Sequence, residues 1–230
     1  MVCGGHGIRY AASVMSHETP PSSRATVVLV HGLWMHGIVF ALHRRWFEAA
    51  GYRVETFSYP SVRRGLADNA RALARCVAAI GGEPIHLVGH SQGGLVILAM
   101  LAQGRDARIG RVVLLGTPVA GSHCARVLRK IPLLRWITGR VLGQWMAAPG
   151  VIPEGVEVGM LAGTRSFGAG VIFPGLGRPN DGVVSVAETR IDGLHDHIDL
   201  RLGHSAMLVS RSCHRAVRAF LETGCFSRPG

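Results

Sequence analysis

Apolar positions along this chain follow two rhythms that take turns. Thr26 to Val30 is a continuous apolar, β-branched run, the pattern of a strand buried on both faces. Tyr52–Tyr59, Ile85–Val88, Arg111–Leu115, Val156–Ala162 and His197–Leu202 read as further strands. Between them the apolar residues recur at helical spacing, over Phe40–Ala50, Gly65–Ile80 and Gly93–Gln103. A closing helix is expected over Arg211–Glu222, with Val217, Phe220 and Leu221 on one side and Arg211, Arg215 and Arg218 on the other.

Breakers separate these segments where the rhythm changes. Gly51 suits a helix C-cap, Pro60 ends a strand, Gly81-Gly82 stop a helix, and Gly116-Thr117-Pro118 follow a strand. Strands alternating with helices predict an α/β fold: a mostly parallel central sheet with helices on both faces. One domain over 25–230 is expected, preceded by a flexible leader over 1–24 that contains Pro20 and Pro21. Residues 122–148 break the alternation. They are apolar and basic together, with Pro132 placed to kink them, and they follow a strand. An excursion over the C-terminal edge of the sheet is the expectation.

Composition changes this picture little. The 230 residues carry 25 Lys and Arg against 14 Asp and Glu, a formal charge of +11, and the pI is about 10.8. Lys130 is the only lysine and the arginines are scattered, so no nucleic-acid patch is expected; basic residues do not interleave with aromatics as in a single-strand binder. No apolar run is long enough to span a bilayer. The five cysteines are odd in number and include no C-x-x-C pair; Cys76 and Cys213 read as buried thiols in a reduced, cytoplasmic setting. Peripheral membrane contact through the basic apolar segment is the one alternative to that soluble reading.

The candidate chemistry sits at Gly89-His90-Ser91-Gln92-Gly93, a G-x-S-x-G between a predicted strand and a predicted helix. Small neighbours let the backbone turn a strained corner that lifts the Ser91 hydroxyl above the sheet. An alcohol needs a base to become nucleophilic, and the base needs an orienting acid. His204 follows the last predicted strand and precedes the final helix; His195, His197 and His214 are its rivals. Asp181 lies in a Gly/Pro-rich loop before Gly182-Val183-Val184, and Asp192, Asp196 and Asp199 are the other acids. Two backbone amides must face the developing oxyanion. Gln92, after the nucleophile, supplies one; Leu33, in His31-Gly32-Leu33-Trp34, supplies the other, with Trp34 the neighbouring alternative. His31, His36 and His90 read as supports that hydrogen-bond the loops.

The segments Val-Leu-Val-His-Gly-Leu (28–33), Gly-His-Ser-Gln-Gly-Gly (89–94), Leu-Gly-Thr-Pro (115–118), Asn-Asp-Gly-Val-Val (180–184) and Gly-His-Ser (203–205) occur in that order. The chain resembles the α/β-hydrolase superfamily, and within it the bacterial lipase and esterase group. The resemblance implies hydrolysis of carboxylic, lipid-like esters through an acyl-enzyme on Ser91, with Asp181 and His204 completing the triad. It also implies that residues 122–148 form a lid or acyl-binding segment, so Trp34, Leu133, Trp136 and Trp145 are the expected substrate-binding residues. Acyl transfer or thioester cleavage on the same triad, or a non-catalytic membrane-surface or binding protein of this fold, are the alternatives.

No metal or cofactor is expected. Lipases of this group that bind structural calcium carry an acidic residue shortly after the catalytic histidine, whereas Ser205, Ala206, Met207 and Leu208 follow here. His195-Asp196-His197-Ile198-Asp199 partly matches a metallohydrolase ligand pattern, but Leu200 stands where a further histidine is required.

Overall fold

In the computed structural model, the described residues are 25–82, 84–130, 151–166 and 175–227. The expected leader lies outside them, as do residues 131–148 of the expected lid with Leu133, Trp136 and Trp145.

Six strands form one sheet: β1 (Thr26–Val30), β2 (Arg53–Phe57), β3 (Ile85–His90), β4 (Ile109–Leu115), β5 (Glu157–Gly163) and β6 (Asp196–Leu200). The spatial order is β2-β1-β3-β4-β5-β6, and every pairing between them is parallel. The helices are α1 (Ala41–Ala49), α2 (Leu66–Ala79), α3 (Gln92–Gln103), α4 (His123–Arg129) and α5 (Arg211–Thr223). The predicted elements are present, with ends moved by a few residues. A 3-10 turn over Gly37–Phe40 precedes α1.

Strand side chains alternate between faces, and the core divides accordingly. Val28, Val30, Leu87, Val112 and Leu114 pack on one face with Leu73 and Val77 of α2 and Leu95, Val96 and Leu98 of α3. Val27, Leu29, Val88, Val113 and Leu115 pack on the other with Phe47 of α1 and Cys213, Val217 and Phe220 of α5. A sheet covered on both sides explains the unbroken apolar runs that mark its strands in the sequence.

α4 opens the expected lid, and its N-cap is Ser122, whose hydroxyl accepts the Ala125 N–H at 3.1 Å. Among the described residues no helix is long and apolar enough to cross a membrane. Cys124 and Cys213 are buried, Cys225 is exposed, and Cys76 is only half-buried, less than its apolar pattern suggests.

Candidate active site

Ser91 stands at the turn from β3 into α3. Its φ of 54° and ψ of −122° belong to a region that side chains rarely occupy, so tertiary packing must impose the corner. The Ser91 N–H donates to the Leu115 carbonyl at 2.8 Å, and the Ser91 carbonyl accepts from Gly94 at 3.1 Å. The glycines of the motif answer to close approach. A Cβ on Gly93 would lie 2.1 Å from the Val30 carbonyl oxygen, and one on Gly89 would lie 2.6 Å from Gly94 N. The sequence needs glycine here because strand and helix backbones touch.

Asp181 and His204 come from loops that are remote in sequence and meet in the fold. His204 Nδ1 donates to Asp181 Oδ2 at 2.7 Å, with both side chains buried. Asp181 Oδ1 accepts the N–H groups of Val183 and Val184 at 2.9 and 2.8 Å, so its second oxygen is aimed by the backbone. The two loops are also joined through their main chains, since His204 N donates to the Asp181 carbonyl at 2.9 Å. This arrangement fixes the His204 tautomer: with Nδ1 protonated, Nε2 is left as the basic nitrogen.

Two glycines leave space for the pair. Gly116 ends β4 at φ 54°, and a Cβ there would sit 3.0 Å from Asp181 Oδ2 and 3.1 Å from His204 Nδ1. A Cβ on Gly163 would lie 2.6 Å from the Asp181 Cβ. Beneath them His90 places its ring 4.6 Å from that of His204 and its Nε2 3.1 Å from the His204 carbonyl oxygen. Burial holds the His90 pKa well below the usual histidine value, so the ring is neutral and donates through Nε2. His31 acts similarly one loop away. Its Nδ1–H donates to the Gly32 carbonyl at 2.8 Å, its Nε2 accepts the Tyr59 N–H at 3.2 Å, and burial lowers its pKa. Hydrogen-bonding support is the role the sequence suggests for both.

The rival residues lie elsewhere. Asp196 accepts from His197 N and Phe226 N, Asp199 approaches Arg190 and His197, and His195 packs on Phe220. His214 packs between α1 and α5 against Trp46 and Phe47. Among the described residues no group of His, Cys, Asp and Glu side chains is placed to hold a metal ion.

Of the expected oxyanion donors, Gln92 is the first residue of α3, where the helix dipole and unpaired amides favour negative charge. Leu33 lies in the loop after β1, close to Ser91: a Cβ on the adjacent Gly32 would meet the Ser91 Cβ at 3.2 Å. Trp34 is exposed, and its own N–H is bound to Ser61 Oγ at 3.0 Å.

The acid loop has supports that motif reading passes over. Ser185 and Glu188 form a capping box, and the Glu188 carboxylate also accepts the His123 N–H at the start of α4. The spelling Ser185-Val186-Ala187-Glu188 is the signal that could have revealed it. Cys124 donates its thiol to the Val183 carbonyl. Burial, with the Glu188 and Asp181 carboxylates nearby, pushes the Cys124 pKa up to about 12, so it stays protonated. Nothing in the sequence pattern points to that thiol.

Comparison with known proteins follows the same lines. The model of the alpha/beta hydrolase family matches residues 27–171. A curated relative, 2-hydroxy-6-oxononadienedioate/2-hydroxy-6-oxononatrienedioate hydrolase 1 of Dechloromonas aromatica (strain RCB), is 35% identical over 108 residues. That match covers 42% of this chain and 37% of the relative's length. The mature lipase BlEst2 of Bacillus licheniformis superposes with a TM-score of 0.72 at 19% identity, covering 89% of this chain and 94% of that one. A metagenomic carboxyl esterase superposes with a TM-score of 0.64 at 23% identity, covering 85% and 70%. At such identities the structural matches speak for the fold.

Proposed function

From the premise that the chain belongs to the alpha/beta hydrolase family, we propose that it is a serine hydrolase of carboxylic esters working through an acyl-enzyme. The buried Asp181–His204 hydrogen bond of 2.7 Å, standing at the same sheet edge as the strained Ser91 corner, carries this reading. His204 Nε2 takes the proton of the Ser91 hydroxyl as its oxygen attacks the ester carbonyl. The tetrahedral oxyanion is met by the Leu33 and Gln92 amides. His204 then protonates the departing alcohol, and a water molecule repeats the sequence on the acyl-enzyme. Asp181 accepts the Nδ1–H and holds the imidazole in that form.

The relatives described as a lipase and a carboxyl esterase support an ester substrate. Exposed Trp34 on the oxyanion loop favours an apolar acyl group, and Leu133, Trp136 and Trp145 are proposed to extend that surface. The Dechloromonas relative is named for a keto diacid, which makes such diacids the second substrate class. Nitrophenyl esters of rising chain length, assayed on wild type and Ser91→Ala, test the proposal. Turnover of esters should fall by about a thousandfold or more in the variant. Unchanged ester turnover in Ser91→Ala overturns the mechanism, and turnover of the keto diacid alone replaces the substrate class.

A further inference from the structure

We propose that Ser61 is a positioning residue that ties both halves of the oxyanion site into one frame, an inference that rests on the ester-hydrolase reading above. Ser61 lies on the loop after β2, just past Pro60, and only 4% of it is exposed. Its hydroxyl accepts the Trp34 N–H at 3.0 Å, and its carbonyl accepts from the Gln92 side-chain amide at 3.2 Å. One residue thus binds the loop that carries Leu33 and the helix that begins with Gln92.

The consequence lies in peptide orientation. Trp34 has a φ of 54°, an unfavourable conformation for a residue with a branched ring system. Holding the Trp34 N–H on Ser61 turns that amide away from the reaction centre and fixes the adjoining Gly32–Leu33 peptide as the one that serves it. The same loop grips its neighbour at other points. Tyr59 donates its hydroxyl to the His31 carbonyl at 2.8 Å, and Ser58 Oγ accepts the Gly37 N–H at 3.0 Å. Those contacts align the loop, whereas Ser61 reaches Trp34 and Gln92 together.

Loss of the Ser61 hydroxyl leaves the Trp34 N–H without its acceptor and the strained turn without its restraint. Leu33 then spends part of its time misaligned. An interaction of this kind acts on the transition state, so it should appear in kcat and not in KM. Removing an oxyanion donor outright typically costs about 100-fold to 1000-fold, and misaligning one should cost about 10-fold to 100-fold.

The experiment measures kcat and KM with nitrophenyl esters for Ser61→Ala, Ser61→Thr, Gln92→Met and Ser91→Ala. Ser61→Ala should lose about 10-fold or more in kcat with KM within about 2-fold of wild type. Ser61→Thr, which keeps the hydroxyl, should recover most of that loss. Gln92→Met keeps its volume and its backbone amide but drops the bond to the Ser61 carbonyl; it should show a smaller fall in the same direction, and it reads the strut even if Ser61→Ala folds poorly. Wild-type kcat in Ser61→Ala or in Gln92→Met overturns the proposal, as does a loss confined to KM. Such a result beside an inactive Ser91→Ala removes only the strut; an active Ser91→Ala removes the hydrolase reading and the strut with it.

Discussion

Two pairs of buried histidines make an instructive contrast. His90 and His204 face each other at the edge of the sheet with rings 4.6 Å apart, and His43 and His214 face each other between α1 and α5 with rings 5.4 Å apart. All four side chains are buried. Among the described residues, only His204 of the four has a carboxylate behind it, Asp181 at 2.7 Å. His43 donates Nε2–H to the Met207 carbonyl at 2.9 Å, and His214 Nδ1 has no hydrogen-bond partner among the described residues. Burial lowers the pKa of His43 and takes that of His214 down to about 4. The catalytic candidate is thus distinguished from the structural histidines by its partner, while its burial is shared.

The contrast is broken most directly at Asp181. Asp181→Asn should keep the fold and lower kcat by about 10,000-fold, because the amide no longer selects the Nδ1–H tautomer of His204. Ester kinetics and a thermal melt on the same sample check this; a mild loss would put His204 in the same class as His43. On the structural side, His43→Phe should cost about 1–3 kcal/mol of stability, since it strands the buried Met207 carbonyl. Urea unfolding measures that cost.

The smallest expected effect concerns pH. His86 and His214 are held at about 4, against an ordinary value of 6.5. Between those values the unfolded chain binds protons that the folded chain refuses, so stability rises with pH across that window and is lost as pH falls from 6.5 towards 4. In His214→Phe the urea midpoint should fall less steeply over this range, with ester turnover near neutral pH unchanged. An identical slope in variant and wild type would show that His214 charges freely in the folded protein.

Much of this was readable from residue order. Strand Thr26–Val30 has the bounds its apolar run predicts, and the corner at Ser91 follows from glycines that no larger residue could replace. The sequence offers Asp181 as the partner of His204, although Asp192, Asp196 and Asp199 carry the same chemistry. Local pattern could not separate them, because the choice depends on which loops share an edge of the sheet. Ser61 had no signal at all. A serine after a proline in a loop is ordinary, and its importance arises from two partners 27 and 31 residues away.

By itself, the sequence determined the alternation of strands and helices, because that depends on neighbours within a few residues, and its short glycine-flanked motif marked the place of the sharp turn at Ser91 and the kind of chemistry to expect there. Tertiary structure alone decided which acid meets which imidazole, which buried histidines stay neutral supports, and which amide of the Leu33–Trp34 loop is already engaged. Those outcomes depend on close contacts between segments far apart in the chain, and hydrogen bonds a few ångströms long are set only when the sheet has brought its loops to one edge.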